Sequence, residues 1–351
     1  MKYTRKEIDK TGKVLMTSKD PSEVKEAIEK LNDWRGLHLV PLDNLQQNIE
    51  DFLSLNNIKP FLISRRLKRL TSIQYKLDLN PEMGLGRMQD VGGLRVVVNT
   101  IEELLRLKSL LNSMPIDDYE CRRVYDYVAE PKESGYRSIH FAYIYHSENR
   151  DYDELRVELQ IRTRLQHLWA TAVETAGIYT QTSLKSSQGE SGWLEFFKVV
   201  SSLFCFKERQ PVAIGLRHFS MEQLMVDCYE KNRKNQYSDI LKALTLTAHE
   251  TEANENLSNA VYYLIYIVFE EKTVSVTPFS KEEETNASVK YSELEGTLQD
   301  GKNAAVLVSV NNVKALIKAY PSYFLDTTEF TKNIEKICRN CEKWGLVNNN
   351  K

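Results

Sequence analysis

Apolar and polar positions alternate along the chain with two periods, and the period changes from one segment to the next. Behind Asp20-Pro21-Ser22-Glu23 (a capping residue, a proline at the first turn and an acid three on), Val24, Ala27, Ile28 and Leu31 recur at helical spacing, with Gly36 as the closing signal. A second helix is predicted from Leu42 to about Leu55, which makes residues 1–60 a polar helical lead-in. FLISRRLKRLTSIQYKL, ending at Leu77, reads as a basic helix, and LRVVV (94–98) as a short buried strand. Thr100 with Glu103 opens an amphipathic helix through Leu111. SIHFAYIYH (138–146) and LRVELQI (155–161) alternate with period two and are predicted strands. Thr163 with Gln166 opens another helix that Gly177 ends, and TSLKSSQGESG (182–192) has loop composition.

WLEFFKVVSSLFCF follows as an apolar helix, and the character changes at about residue 216. Two helical stretches lead to a hairpin of YYLIYIVF and KTVSVTPF. Then come AAVLVSV (304–310), a helix from Val313 and a last helix near 329–343. Strands interleaved with helices predict an α+β fold, a mixed sheet flanked by helices. Three units are expected: the lead-in 1–60, a central domain 61–210 and a second, C-terminal α+β domain at 216–351.

Composition narrows the function classes. The chain has 351 residues, 42% hydrophobic and 27% charged, enough for about two ordinary globular domains. Its formal net charge of −2 supplies no general field for nucleic acid, so any nucleotide or RNA site must be a local patch. The first residues, MKYTRKEIDK, are polar, and the apolar run at 261–269 is too short to span a bilayer; a cytoplasmic protein without a membrane partner is expected. The five cysteines form no disulfide framework, and Cys338-x-x-Cys341 is half a zinc signature without its second pair.

Two features suggest chemistry. Between Lys59 and Leu77 stand Lys59, Arg65, Arg66, Lys68, Arg69 and Lys76. As one helix, the segment would align Arg65, Lys68, Ser72 and Lys76 on a face able to grip a triphosphate. Two acids sit at strands. Asp90 precedes LRVVV with Gly92 and Gly93 between them, and Glu158 shares one face of its strand with Arg156, Gln160 and Arg162. Two carboxylates from neighbouring strands suit Mg²⁺, which takes its other ligands from phosphate and water.

RRLKRLTSIQYK, MQDVGGLRVV, DYVAEPKESGYRSIH and VELQIRT stand in the order and approximate spacing of the RelA/SpoT synthetase domain, which the chain resembles over roughly 61–177. NDWRGLHLVPLDN also resembles the helical lead-in of some members. The resemblance implies transfer of the β,γ-pyrophosphate of ATP to the 3′-hydroxyl of GDP or GTP, with Mg²⁺ as cofactor. It implies that Arg66 and Arg95 sandwich the adenine, with Lys68, Ser72 and Lys76 on the phosphates. Asp90 would hold the metal, and Glu158 would hold it or act as base. Tyr136 would stack on the acceptor base, with Lys132, His140, Gln160 and Arg162 nearby.

Ser134 stands where the family loop often has Asn, and Tyr125 and Arg137 occupy places tied to acceptor choice. Acceptor identity therefore stays open. A toxic relative acting on the tRNA 3′ end or making adenosine alarmones is the first alternative, and a non-catalytic nucleotide sensor the second. None of the six histidines is followed by Asp, so the hydrolase dyad of the long members is not expected. A homo-oligomeric or regulatory contact through the C-terminal domain is a further expectation.

Overall fold

The computed structural model describes residues 2–180, 191–247, 260–268, 273–298, 303–309 and 327–347. Three helices open the chain: α1 (Arg5–Thr17), α2 (Pro21–Leu37) and α3 (Leu39–Leu55). Their starts follow the local chemistry. Thr4 and Glu7 form a reciprocal capping box on α1, and the Asp20 side chain accepts from the Ser22 amide ahead of Pro21 on α2.

Next come β1 (Leu62–Leu67), α4 (Leu70–Leu79), β2 (Gly92–Val98), α5 (Ile101–Ser113), β3 (Tyr119–Asp126), β4 (Ile139–Tyr145), β5 (Arg156–Thr163), α6 (Arg164–Thr180) and α7 (Ser191–Glu208). The remaining described elements are α8 (Met221–Asn235), α9 (Tyr237–Thr247), β6 (Tyr262–Val268), β7 (Thr273–Phe279), α10 (Glu284–Glu295), β8 (Asn303–Ser309) and α11 (Thr328–Lys343).

The eight described strands form one mixed sheet in the order β3-β4-β5-β2-β1-β8-β6-β7. Only β2 and β5 run parallel; every other neighbouring pair is antiparallel. One face is apolar in its centre. Leu94, Val96, Leu159, Ile161, Phe141 and Tyr143 pack there against α3 and α5 in the main core. A second core is helical and joins α6, α7, α8, α9 and α11 around Trp169, Trp193, Phe197 and Phe330.

The α+β fold with a helix-flanked mixed sheet is as expected, but the basic helix is not. Residues 62–67 are a strand, hydrogen-bonded to β2 along its length and to β8 at Arg65 and Arg66. Strand geometry turns successive side chains to opposite faces. Arg65 therefore points away from Arg66, is buried at 4% exposure, and donates to Asp43 and to the Tyr262 hydroxyl. The face proposed for Arg65, Lys68, Ser72 and Lys76 does not exist; only Ser72 and Lys76 share a helix, α4.

The helix predicted to end at Gly177 continues to Thr180. The 182–192 loop falls mostly outside the described residues, and Ser191 and Gly192 open α7. The helix expected from Val313 also lies outside the described residues. The segment 216–351 meets the preceding one at several places: β8 pairs with β1, α8 and α11 pack with α6 and α7, and Glu295 bonds to Arg35 and to the Leu70 amide. No described helix is long and apolar enough to cross a membrane.

Candidate active site

The other sheet face is polar where β1, β2, β5, β4 and β3 lie side by side, and register places its residues in two rows. One row runs Arg66–Gly93–Glu158–Ala142–Arg123, the next Ser64–Arg95–Gln160–His140–Tyr125. Ser64, Arg66, Lys68, Asp90, Gly93, Arg95, Glu158 and Gln160 line a cleft over these rows. Gly93 forms its floor: a Cβ there would meet nothing nearer than the Arg66 carbonyl at 4.0 Å. Gly92 serves packing instead, since a Cβ would lie 2.9 Å from Leu42 Cδ1 on the apolar side.

At one end of the cleft Asp90 receives two ammonium groups. Lys68 Nζ lies 3.0 Å from Oδ2, and Lys76 Nζ lies 2.7 Å from Oδ1. Lys68 follows β1, its amide bonded to the Val91 carbonyl, while Lys76 comes from α4. Burial works against ionisation of Asp90, but Lys68 and then Lys76 outweigh it and hold the carboxyl down at about 2. Ser72 lies one turn before Lys76, half-buried, with no hydrogen bond to the cleft residues among those described.

Glu158 is bound from the other side. His140 Nδ1 lies 2.9 Å from its Oε1, and the Gln160 amide donates to its Oε2 at 2.5 Å. His140 Nε2 in turn lies 2.9 Å from the Tyr136 hydroxyl. Burial opposes a charged imidazole, yet Tyr136 and the Glu158 carboxylate push His140 up to about 9. Burial also opposes the Glu158 charge, which His140 nevertheless stabilises enough to lower its pKa. Both shifts run in the direction that favours the charged pair, a protonated His140 beside an ionised Glu158.

The Tyr136 loop is tight for a visible reason. Gly135 has φ +86°, and a Cβ there would lie 2.8 Å from Ser201 Cβ on α7. The Gly135 amide donates to Lys132 O, and Ser201 Oγ donates to Gly135 O. Lys132 Nζ lies 4.4 Å from the Tyr127 ring centroid and 5.5 Å from that of Tyr136. Tyr127 is an addition to the expected set: it stacks on Tyr125 and meets His140 edge-on at 5.4 Å. The Tyr125-x-Tyr127 spacing, which puts both rings on one side of an extended chain, was the available signal.

Two further residues singled out in the sequence, Arg162 and Arg137, are buried. Arg162 is buried; burial first, and then Arg95, lower its pKa to about 9, and its guanidinium meets His167. Arg66 also lowers that pKa, while Tyr136 and Glu174 act in the opposite direction. Arg137, read as tied to acceptor choice, is buried in an ion pair with Glu208, which also accepts from Thr163 and Gln166. Its role is to join the start of β4 to α7.

Hard oxygen donors suit Mg²⁺, and Asp90 and Glu158 supply two carboxylates to one cleft, so the residues present fit that ion. All five cysteines are free thiols. No cluster of three or more His, Cys, Asp or Glu fit to hold a metal occurs among the described residues.

Comparison with known proteins finds similarity over part of the chain. Residues 65–183 match the family profile of the region found in RelA / SpoT proteins. The chain is 33% identical over 112 residues to the GTP pyrophosphokinase YjbM of Bacillus subtilis, which covers 31% of this chain and 52% of that protein. It is 31% identical over 140 residues to the GTP pyrophosphokinase rsh of Brucella melitensis, 39% of this chain and 16% of that one. The chain thus spans about half the length of the first relative and much less of the second. Among solved structures, small alarmone synthetase 2 of B. subtilis aligns over 52% of this chain and 95% of its own at 19% identity and a TM-score of 0.44. Small alarmone synthetase 1 of the same organism, bound to its product pppGpp, aligns over 47% and 83% at 23% identity and a TM-score of 0.38.

Proposed function

We propose that the chain, whose residues 65–183 match the family profile of the region found in RelA / SpoT proteins, is an ATP-dependent pyrophosphokinase that transfers the β,γ-pyrophosphate of ATP to the 3′-hydroxyl of GDP or GTP. The observation that carries this reading is the pair of carboxylates lining one cleft, Asp90 in contact with Lys68 and Lys76, and Glu158 in contact with His140. Phosphoryl-type transfer depends on positioning and charge neutralisation more than on covalent help from the protein.

In this reading Lys68 and Lys76 take the ATP phosphates, and Arg66 and Arg95 flank the adenine. Tyr136 and Tyr127 give the acceptor base its aromatic surface, with Lys132 beside them. The acceptor 3′-oxygen attacks the β-phosphorus, its hydroxyl proton is released to solvent, the bond from that phosphorus to the α–β bridging oxygen breaks, and AMP leaves. Asp90 and Glu158 would hold Mg²⁺, which supplies charge neutralisation on the phosphates when bound.

Because His140 lowers the Glu158 pKa, Glu158 is suited to hold a cation or orient the hydroxyl, and poorly suited to keep its proton. The curated relatives named GTP pyrophosphokinases support a guanine acceptor. The test is to incubate the protein with γ-labelled ATP and, separately, GDP, GTP, ATP and deacylated tRNA. Label on GDP or GTP supports the reading. Label on tRNA or an adenosine nucleotide alone supports the toxic-relative alternative, and label on none, with ATP bound, supports a sensor.

A further inference from the structure

We propose that Glu295, on α10, is a positioning residue for the nucleotide end of the cleft, capping the first turn of α4 and thereby setting the place of Lys76. This rests on the reading of that cleft as a nucleotide site. α4 begins at Leu70, and Arg69 at its N-cap position provides no side-chain capping bond. A helix start leaves its first amides without partners inside the helix, and an anion there is favoured by the helix dipole. The Leu70 amide donates to Glu295 Oε1 at 2.6 Å, across 225 residues of sequence.

The same carboxylate is fixed by two further groups. Arg35 Nη1, from α2, donates to Glu295 Oε2 at 2.5 Å, and the Tyr291 hydroxyl donates to Oε1 at 2.8 Å. Arg35 Nη2 donates to the Tyr291 oxygen at 3.0 Å, which closes the network. The Arg35 and Glu295 side chains are 2% and 1% exposed. In such a dry setting the geometry of a polar network is strongly specified.

A second contact points the same way. β8 lies against β1 at Arg65 and Arg66, so of the two elements that bring residues to the nucleotide end, β1 leans on β8 and α4 on α10. Tyr136 and His140 rest instead on β4, α6 and α7. Loss of the cap should therefore act on ATP and spare the acceptor.

The test compares two triple variants. In the first, Arg35→Met, Tyr291→Phe and Glu295→Met together replace the network by apolar groups, a change that buried ion pairs often tolerate, and leave Leu70 uncapped. In the second, Glu295→Gln replaces Glu295→Met and returns an oxygen to the Leu70 amide. The apolar variant should show faster hydrogen exchange over the first turn of α4. Its ATP KM should rise about 2- to 30-fold, the range for a lost cap, with the acceptor KM nearly unchanged. The Gln variant should recover most of both effects, which a merely structural role would not produce. If the apolar variant folds poorly, Glu295→Asp alone decides, because it keeps the charge beside Arg35 and withdraws the carboxylate from Leu70. Binding of a non-hydrolysable ATP analogue by the unsubstituted chain is the control: its absence sinks the nucleotide reading. Its presence, with α4 exchange and ATP KM unmoved in the variants, overturns the cap.

Discussion

His140 Nδ1 sits 2.9 Å from Glu158 Oε1, at a register position where β4 and β5 place the two side chains diagonally on the same face. The pair is nearly buried, with 12% and 10% of the side chains exposed, so each charge depends on the other. This has a sign that pH can read. His140 is raised from 6.5 to about 9 in the fold, so its contribution to stability is complete below about pH 6.5 and disappears as pH rises through about 9. Thermal unfolding of the wild type should therefore fall by roughly 2–6 °C relative to His140→Asn across that window. Parallel pH dependences of the two proteins would mean that the imidazole is neutral in the fold.

Lys68→Ala removes one of the two cations on Asp90. A hydrogen bond to a charged group contributes about 1.5–3 kcal/mol, so the ATP KM should rise ~10–100-fold with a smaller change in the acceptor KM. The double variant with Lys76→Ala should be non-additive, because both lysines act on the same carboxylate. Steady-state kinetics on both substrates decide this, and an unchanged ATP dependence would place the triphosphate elsewhere.

Tyr136→Ala should raise the acceptor KM by roughly 5–150-fold, the value of one stacked base. From sequence alone Tyr136→Phe would be expected to be mild. The hydroxyl bond to His140 changes that expectation: the Phe variant keeps the ring but removes a partner that helps to raise the His140 pKa. Its pH–rate profile should break at lower pH than that of the wild type, with the acceptor KM nearly unchanged.

Gly92 and Gly93 are adjacent and should respond oppositely. Gly92→Ala forces a Cβ to 2.9 Å from Leu42 Cδ1 and should cost about 1–3 kcal/mol in chemical denaturation. Gly93→Val should leave stability nearly intact, because the space above Gly93 is open, while filling the cleft floor between Arg66 and Glu158 and raising the ATP KM. A Gly93→Val enzyme with unaltered kinetics would show that the substrate does not approach that floor.

The strands β2, β4 and β5 were legible because each buries one or both faces, and period two or a short apolar run follows directly. The caps of α2, α5 and α6 were legible for a similar reason: Asp20, the Thr100–Glu103 pair and the Thr163–Gln166 pair are local chemistry and all form. β1 was misread because Arg65, Lys68, Ser72 and Lys76 happen to repeat at helical spacing, whereas the segment's partners, β2 and β8, lie far along the chain. β3 gave no signal, since the middle of this edge strand is exposed and a bulge between Cys121 and Arg123 breaks its alternation.

Within the cleft the family motifs gave the residue types, but not their pairing. Nothing in the spacing of Lys68, Lys76 and Asp90 indicates that both lysines meet one carboxylate, and nothing local links Arg35 to Glu295. Such relations depend on tertiary packing.

The proposed transfer depends most on Glu158 as the second anion of the cleft beside Asp90. Its direct test is transfer of label from γ-labelled ATP to GDP by the wild type and by Glu158→Gln, with binding of an ATP analogue measured alongside. The amide keeps the shape and loses the charge, so the variant should bind the analogue within a few-fold of wild type while label transfer falls ~10²–10⁴-fold. Full transfer by Glu158→Gln, or no transfer to GDP or GTP by the wild type, would contradict it.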